Sequence, residues 1–427
     1  MALNHTPLLT YYEASAQYPP EQPALYGRAA ADVCVVGAGL AGLSAALHLA
    51  ERGYRVRVLE GGRMASGASG RNGGQALPGV AASQPELARL VGPADARAIW
   101  DVSVAGLELM RRRIARHRID CHPVDGHLLV ATRSRHLTEL TALHDEMRGL
   151  DCRQLQRLDR AGIRQLVASD RYLGALYDGQ ALHLHPLRYA LGLARACQQA
   201  GVVIHENTRA LDWRTTGEGL LVRTREGELQ CRQLLLAGNA LLGHVAPELA
   251  RKLMAIGTYM VATEPLGEAR ARALITNNAA VADQNWIIDY FRRSADHRLL
   301  FGGRVSYGGL DPQASTSATR RRMLRVFPQL SDARIEYSWG GYLDITLNRA
   351  PHFGRLAPDV WFLQGFSGHG LALTGIAGQI AAEAMAGSSE RFDVFARIPH
   401  RDFPGGRALR RPALMLAMLW YRLRDLL

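Results

Sequence analysis

The sequence has almost no lysine. Lys252 is the only one among 51 basic residues, so the formal net charge of +12 is carried by arginine. The arginines are spread along the chain, and their densest runs, Arg111-Arg-Arg113 and Arg320-Arg-Arg322, fall in helix-like stretches. This reads as codon bias rather than a basic stripe that tracks a polyanion, so no nucleic-acid partner is expected. Cysteine is also scarce. Cys34, Cys121, Cys152, Cys197 and Cys231 are odd in number and form no CxxC, which excludes a disulfide framework and argues for reduced, buried thiols in a cytoplasmic setting. No metal is expected. The N-terminus lacks a charged segment followed by an apolar one, so no signal peptide is expected, and no run reaches the roughly 18 apolar residues of a membrane span. Internal repeats and low-complexity tracts are absent too. What remains is a globular composition, 48% hydrophobic and 21% charged, in a chain of 427 residues, too long for one ordinary core.

Residues 1–31 are polar and proline-rich and read as an extended leader. Val33-Cys-Val-Val36 is then a fully apolar strand, followed by a glycine-rich turn, a helical run from about Ala41 to Arg52 and a second strand, Val56-Arg-Val-Leu59: one βαβ unit. Helical texture is expected over 85–118, 134–167 and Pro186 to Gln199, with strands at Gly126–Ala131 and Gly201–Ile204, the latter entering Glu206-Asn207. Leu220–Thr224 and Gln230–Leu236 read as paired strands. From Gly257 to Trp339 strand-like runs dominate (Tyr259–Thr263, Trp286–Phe291, Leu299–Arg304), broken by one helix near Thr316–Phe327. Val360–Leu363 is a strand leading through a glycine-rich turn into a small-residue helix, Leu371 to Met385.

Three motifs carry chemistry. In Gly37-Ala-Gly-Leu-Ala-Gly42 the spacing GxGxxG follows a strand and opens a helix, and Glu60 ends the next strand about twenty residues on. Gly37 permits the tight turn, Gly39 lets a pyrophosphate approach the helix N-terminus, Gly42 lets helix and strand pack, and Glu60 accepts from a ribose diol while disfavouring a 2′-phosphate. In Gly67-Ala-Ser-Gly-Arg-Asn-Gly-Gly-Gln75, small residues with exposed amides suit a phosphate chain or a flat ring. Gly365-Phe-Ser-Gly-His-Gly370 opens a helix whose dipole favours the negative charge of a reduced flavin. Together they point to FAD rather than to a separately bound nicotinamide.

These motifs, with Leu184-His-Pro186 and Leu236-Ala-Gly-Asn239, resemble the D-amino-acid-oxidase-like family of FAD enzymes, which includes the glycine and sarcosine oxidases. Asp289-Tyr-Phe-Arg292, Leu299 to Gly308, Trp339-Gly-Gly-Tyr-Leu-Asp344 and Phe392 to Gly406 resemble its gamma-glutamylputrescine oxidoreductase branch. The resemblance implies a mixed α/β fold: a Rossmann-like FAD-binding domain, discontinuous in sequence (32–120, 181–255, 339–400), an antiparallel-sheet substrate domain (121–180, 256–338), the leader and an amphipathic tail (401–427). It implies cofactor contacts at Gly37, Ala38, Gly39, Leu40, Ala41, Gly42, Glu60, Gly61, Arg63, Ser69, Gly70, Arg71, Asn72, Gly73, Gly74, Gln75, Ala210, Ala237, Gly238, Gly341, Gly365, Phe366, Ser367, Gly368, His369, Gly370 and Leu371. It also implies hydride transfer from an amine-bearing carbon to flavin N5, followed by imine hydrolysis.

Departures from the family narrow the expectation. No cysteine stands near Gly340-Gly341, where sarcosine oxidases tether FAD, so non-covalent FAD is expected. An apolar residue near Leu300 replaces the lysine that helps oxygen react, leaving O2 or a quinone as the acceptor. Leu343 stands where amino-acid oxidases place an arginine that clamps the substrate carboxylate, with Asp344 beside it. An acid near the flavin suits an amine cation, so gamma-glutamylputrescine or a related polyamine conjugate is the expected substrate. The alternatives are a glycine-, sarcosine- or D-amino-acid-type oxidase and a tRNA-directed glycine-oxidase-like flavoprotein. His369, Asp344, Tyr259, Tyr290 and Arg304 are the catalytic candidates, with Trp286 and Trp339 as further lining. The arginine-flanked apolar tail is expected to touch a membrane surface or pack on its own protein or a dimer mate.

Overall fold

A computed structural model describes residues 9–285, 287–306 and 312–404. A six-stranded sheet has the order His352–Ala357, Val360–Gln364, Gln233–Leu236, Val33–Val36, Val56–Leu59, Val203–His205. All its pairings are parallel except the edge hairpin formed by the first two strands. Every residue of Val33–Val36 and Val360–Gln364 is buried, as strands covered on both faces require. The helices Leu40–Ala50 and Leu373–Met385 cross closely on one face. A methyl group at Gly378 would lie 2.5 Å from the Ala41 carbonyl oxygen, which explains the small-residue character of the second helix.

A nine-stranded sheet has the order Ile335–Ile345, Met254–Thr263, Leu299–Ser306, Tyr290–Arg293, Ala280–Asp283, Val124–Ala131, Gly174–His183, Gln75–Ala76, with Leu155–Leu158 added beside Gly174–His183. It is antiparallel apart from Ala280–Asp283 against Val124–Ala131. Side chains alternate between its faces. Val261, Phe291, Leu299 and Phe301 pack with Met323 and Val326 of the helix Pro312–Val326, whereas Met260, Ala262, Leu300 and Trp339 join the core of the first sheet. A four-stranded sheet, Gly27–Ala30, Gly227–Cys231, Gly219–Arg223 and Asp212–Thr216, lies to one side.

Several boundaries differ from the sequence reading. The leader is not simply extended: Tyr11–Ser15 is a helix closed by a capping box between Thr10 and Glu13, and Gly27–Ala30 is a strand. Gln230–Leu236 is two strands. Gly227–Cys231 pairs with Gly219–Arg223, but Gln233–Leu236 joins the parallel sheet, the switch being fixed where Arg232 and Gln233 both donate to the Asp32 carbonyl. The helical stretch 134–167 is broken by the strand Leu155–Leu158, and the strand expected from Trp286 begins at Tyr290. Expected domain limits at 180 and 338 fall inside the strands Gly174–His183 and Ile335–Ile345. All five cysteines are free and buried. Among the described residues, no helix is long and apolar enough to cross a membrane. The tail beyond residue 404 lies outside the described residues.

Candidate cofactor and active site

The carboxyl ends of Val33–Val36, Val56–Leu59, Gln233–Leu236 and Val360–Gln364 lie side by side, the edge at which open α/β sheets receive ligands. Gly37 leaves the first strand with a φ of 109°, and a methyl group there would lie 2.8 Å from the Ala237 carbonyl oxygen. One on Gly42 would come within 2.0 Å of the Gly37 carbonyl, so helix and turn meet backbone to backbone. Gly39 caps the 11-residue helix Leu40–Ala50 with no side-chain bond. The Leu40 amide donates to Ser69 Oγ at 3.0 Å, and a methyl group on Gly39 would sit 2.9 Å from that oxygen. The uncapped N-terminus of the helix, its dipole and the Ser69 hydroxyl thus meet at one backbone cradle, a setting that favours an anion such as a pyrophosphate.

Glu60 stands at the end of the second strand. Its oxygens accept from the Ala38 amide (2.8 Å) and the Gly62 amide (2.9 Å), and burial raises its pKa above the usual carboxylate value. Each oxygen retains a lone pair for a hydroxyl donor. On the neighbouring strand the same position is held by Glu206, which the sequence reading passed over. It is fully buried and accepts from Arg63 Nε (3.0 Å), the Met64 amide (2.7 Å) and the Gln22 amide (2.8 Å). Its signal was an acid closing an apolar strand, as Glu60 does. Arg63 is thereby tied to Glu206 and the Pro19 carbonyl. Gly61 lies near Arg209, and Ala210 is buried with Val36 and Leu59, its methyl group turned into the core.

The second loop folds around Ser69. A methyl group on Gly70 would lie 2.4 Å from the Ala65 carbonyl. Asn72 donates to the Ala68 and Ser69 carbonyls and accepts from the Gly74 amide at 2.8 Å. Arg71 reaches the Gly340 carbonyl at 3.1 Å, and Trp339 Nε1 donates back to the Arg71 carbonyl at 3.1 Å. Gly341 lies against the Arg71 side chain. Gly74 has a φ of 74°, and Gln75 pairs with His183 and donates weakly to Val281. Tyr290, half-buried, packs its ring on Gly73 and Gly302; burial pushes its phenol up, so it is neutral.

The third turn leaves Val360–Gln364 with Gly365, Ser367 and Gly368 all at positive φ. The Gly365 amide donates to Asn239 Oδ1 (3.1 Å) and Asp344 Oδ2 (3.3 Å), and Asn239 Nδ2 donates to Asp344 Oδ1. Ser367 Oγ bonds the Gly365 carbonyl at 3.2 Å, and Phe366 and Leu371 are buried. Asp344 is 2% exposed, and burial lifts its pKa to about 6 despite these donors. Its two oxygens bond Asn239 and the Gly365 amide, joining the 239, 344 and 365 segments. His369 Nε2 meets the Pro78 carbonyl at 2.9 Å, so it must be the protonated nitrogen, and burial lowers the ring's pKa. Tyr259 is 1% exposed within its strand, opposite Gly340 and Arg304. The Arg304 side chain and Trp286 lie outside the described residues. Lys252 bonds the His400 carbonyl and Asp402 at 3.0 Å each.

The turns at 37–42, 60–63, 67–75, 237–239, 340–341 and 365–371 thus form one connected rim between the two large sheets. Residues 32–384 match the FAD dependent oxidoreductase (DAO) family. The chain is 42% identical to the gamma-glutamylputrescine oxidoreductase of Escherichia coli (strain K12), over 97% of this chain and 98% of that protein. It is 25% identical to the glycine oxidase of Geobacillus kaustophilus (strain HTA426), over 85% and 95%. A crystal structure of glycine oxidase from Geobacillus kaustophilus superposes with a TM-score of 0.71 at 20% identity, covering 84% of this chain and 95% of that one. The chain belongs to the DAO family and is an FAD-dependent oxidoreductase.

Proposed function

We propose that this enzyme oxidises the C–N bond of a small amine, gamma-glutamylputrescine or a related polyamine conjugate, with FAD held non-covalently along the rim described above. The observation that carries the reading is the strand Ile335–Ile345. It offers Leu343 where an amino-acid oxidase would need a carboxylate-clamping arginine, in a chain 42% identical over 97% of its length to a gamma-glutamylputrescine oxidoreductase. Leucine makes no bidentate bond to a carboxylate.

FAD, when bound, supplies the hydride acceptor. The protein supplies position. The N-terminus of the helix Leu40–Ala50, opened by Gly39 without a side-chain cap, faces the pyrophosphate, and Glu60 takes a ribose hydroxyl. Gly73, Gly74 and Gly341 let backbone approach the ring, while Tyr290 and Trp339 wall the sheet side. Gly365 to Leu371 aim a turn and a helix N-terminus at the same ring, and Asp344 fixes that turn through Asn239 and Gly365. His369, neutral and spending its N–H on Pro78, orients rather than titrates. No strong base faces the rim among the described side chains, so the amine must arrive unprotonated.

The test is anaerobic bleaching of the yellow holoenzyme with gamma-glutamylputrescine, putrescine, spermidine, glycine, sarcosine and D-alanine. Bleaching confined to the polyamine compounds is the expected result, and the rate at which readmitted air restores the colour then separates an oxidase from a dehydrogenase. Bleaching by glycine, sarcosine or D-alanine instead overturns the reading.

A further inference from the structure

The short helix Tyr11–Ser15 lies ahead of residues 32–384, the part that matches the family, yet it is bonded to the loop assigned to the flavin. Tyr12 is fully buried. Its ring packs edge-on against Trp339 (5.3 Å between centroids) and His185 (4.9 Å). Its hydroxyl accepts from Arg292 Nη2 at 3.1 Å, and Arg292 Nε donates to the Gly73 carbonyl at 2.8 Å. One residue on, Glu13 Oε1 accepts from Arg71 Nη2 at 3.2 Å, while the same guanidinium holds the carbonyls of Ser66 and Gly340. Two arginines therefore connect this helix to the loop at Arg71 and at Gly73, and one of them also holds Gly340. The capping box keeps Glu13 in place, because its other oxygen accepts from the Thr10 amide at 2.8 Å. A separate set of bonds merely anchors the helix: Tyr11 OH donates to Asp296 at 2.6 Å, and Ser15 Oγ meets His185 Nε2 at 3.0 Å.

We infer that residues 10–15 form a strap whose Tyr12 and Glu13 are positioning residues for FAD, acting through Arg292 and Arg71 to hold the 71–73 loop in its cofactor-binding shape. The physical basis is preorganisation: a loop whose amides are fixed before binding loses less conformational freedom when the ring arrives. Neither side chain is placed to touch the cofactor, and the strap's effect does not depend on which amine is oxidised.

The experiment follows flavin release from diluted holoenzyme by the rise in free-flavin fluorescence, without substrate, at a temperature well below unfolding. Tyr12→Phe and Glu13→Gln are conservative and remove one charge-assisted bond each, so the double variant should release FAD roughly ten-fold faster than wild type. Tyr11→Phe removes a bond of the same helix that leads to Asp296 and not to the loop; its release rate should stay within about two-fold of wild type. A double variant that keeps its flavin as wild type does overturns the inference. So does a Tyr11→Phe variant that loses it as fast as the double variant, because the helix would then act through general stability alone.

Discussion

In the six-stranded sheet the central strands are short, parallel and buried on both faces, and their chemistry lies beyond their ends. In the nine-stranded sheet the strands run up to 11 residues, pair mostly antiparallel and divide their side chains between a packed back and a front turned to the cofactor rim. The first sheet delivers mainly backbone, amides, carbonyls and glycines, with Glu60 and Asn239 as side chains at its strand ends. The second delivers mainly side chains, Tyr290, Trp339 and Asp344 among them. Substitutions should therefore act differently on the two, and the sharpest contrast lies on the back of the second sheet. Phe301 is fully buried, stacked on Phe291 at 5.6 Å. Phe301→Ala should cost about 4 kcal/mol of stability while the folded fraction keeps its full complement of flavin. Denaturant unfolding with flavin absorbance per folded molecule checks this. Flavin loss in step with stability would mean that the two faces are not separable.

The complementary substitution lies in the first sheet. Gly42→Ala places a methyl group 2.0 Å from the Gly37 carbonyl oxygen, and neither backbone can yield without moving the turn. We expect about 3 kcal/mol of destabilisation together with failure to retain FAD, the pairing that Phe301→Ala should not show. A variant that folds with normal flavin content would remove the tight-turn argument.

The same contrast explains what was legible in the sequence. The proposed dinucleotide cradle is local: Gly37, Gly39, Gly42 and Glu60 lie within one βαβ unit, so spacing alone points to it. The helix Pro186–Gln199 was equally plain from its amphipathic period and its proline at the first turn. The exchange of partners at Arg232 was not, because the stretch Gln-Cys-Arg-Gln-Leu-Leu-Leu from Gln230 to Leu236 holds no glycine, proline or other turn residue to mark a break between two strands. The role of Asp344 was hidden for a related reason. Its partners, Asn239 and Gly365, are 105 and 21 residues away, and no period links them. The helix at Tyr11 carried a readable sign in Thr10-Tyr-Tyr-Glu13, the capping-box spacing, which the prolines nearby outweighed.

Asp344 offers a third, smaller test, since it sits where the two sheets meet. Its pKa of about 6 in the folded protein exceeds the unfolded carboxylate value of about 3.9. Between those limits the native state binds more protons than the unfolded one, so this group's contribution to stability is full at low pH and is lost as pH rises through about 6. Asp344→Asn does not titrate. It should be less stable than wild type by about 2 kcal/mol near pH 4, because an amide nitrogen meets one of the two donors, and the deficit should shrink toward pH 7. Urea midpoints at a series of pH values measure it. A deficit that grows with pH would mean that Asn239 and Gly365 hold the charged form more strongly than burial opposes it.

The smallest effect is expected at His369, and it bears on which sheet supplies proton chemistry. A general base in this position would lose about a hundred-fold or more on replacement by glutamine. The geometry argues for less. Nε2 carries a proton bound to the Pro78 carbonyl, and burial keeps the ring neutral, below its ordinary pKa. Glutamine can donate to the same carbonyl, so His369→Gln should lower the rate of flavin reduction only about three-fold, through a slightly displaced turn. The pH dependence should follow the substrate's own amine, rising as the ammonium loses its proton, and keep that midpoint in the variant. A midpoint that moves with the substitution would make His369 a titrating participant. Proton chemistry would then belong to the glycine-rich turn at the end of the parallel sheet, and the division between a sheet that delivers backbone and a sheet that delivers side chains would fail at the reacting centre.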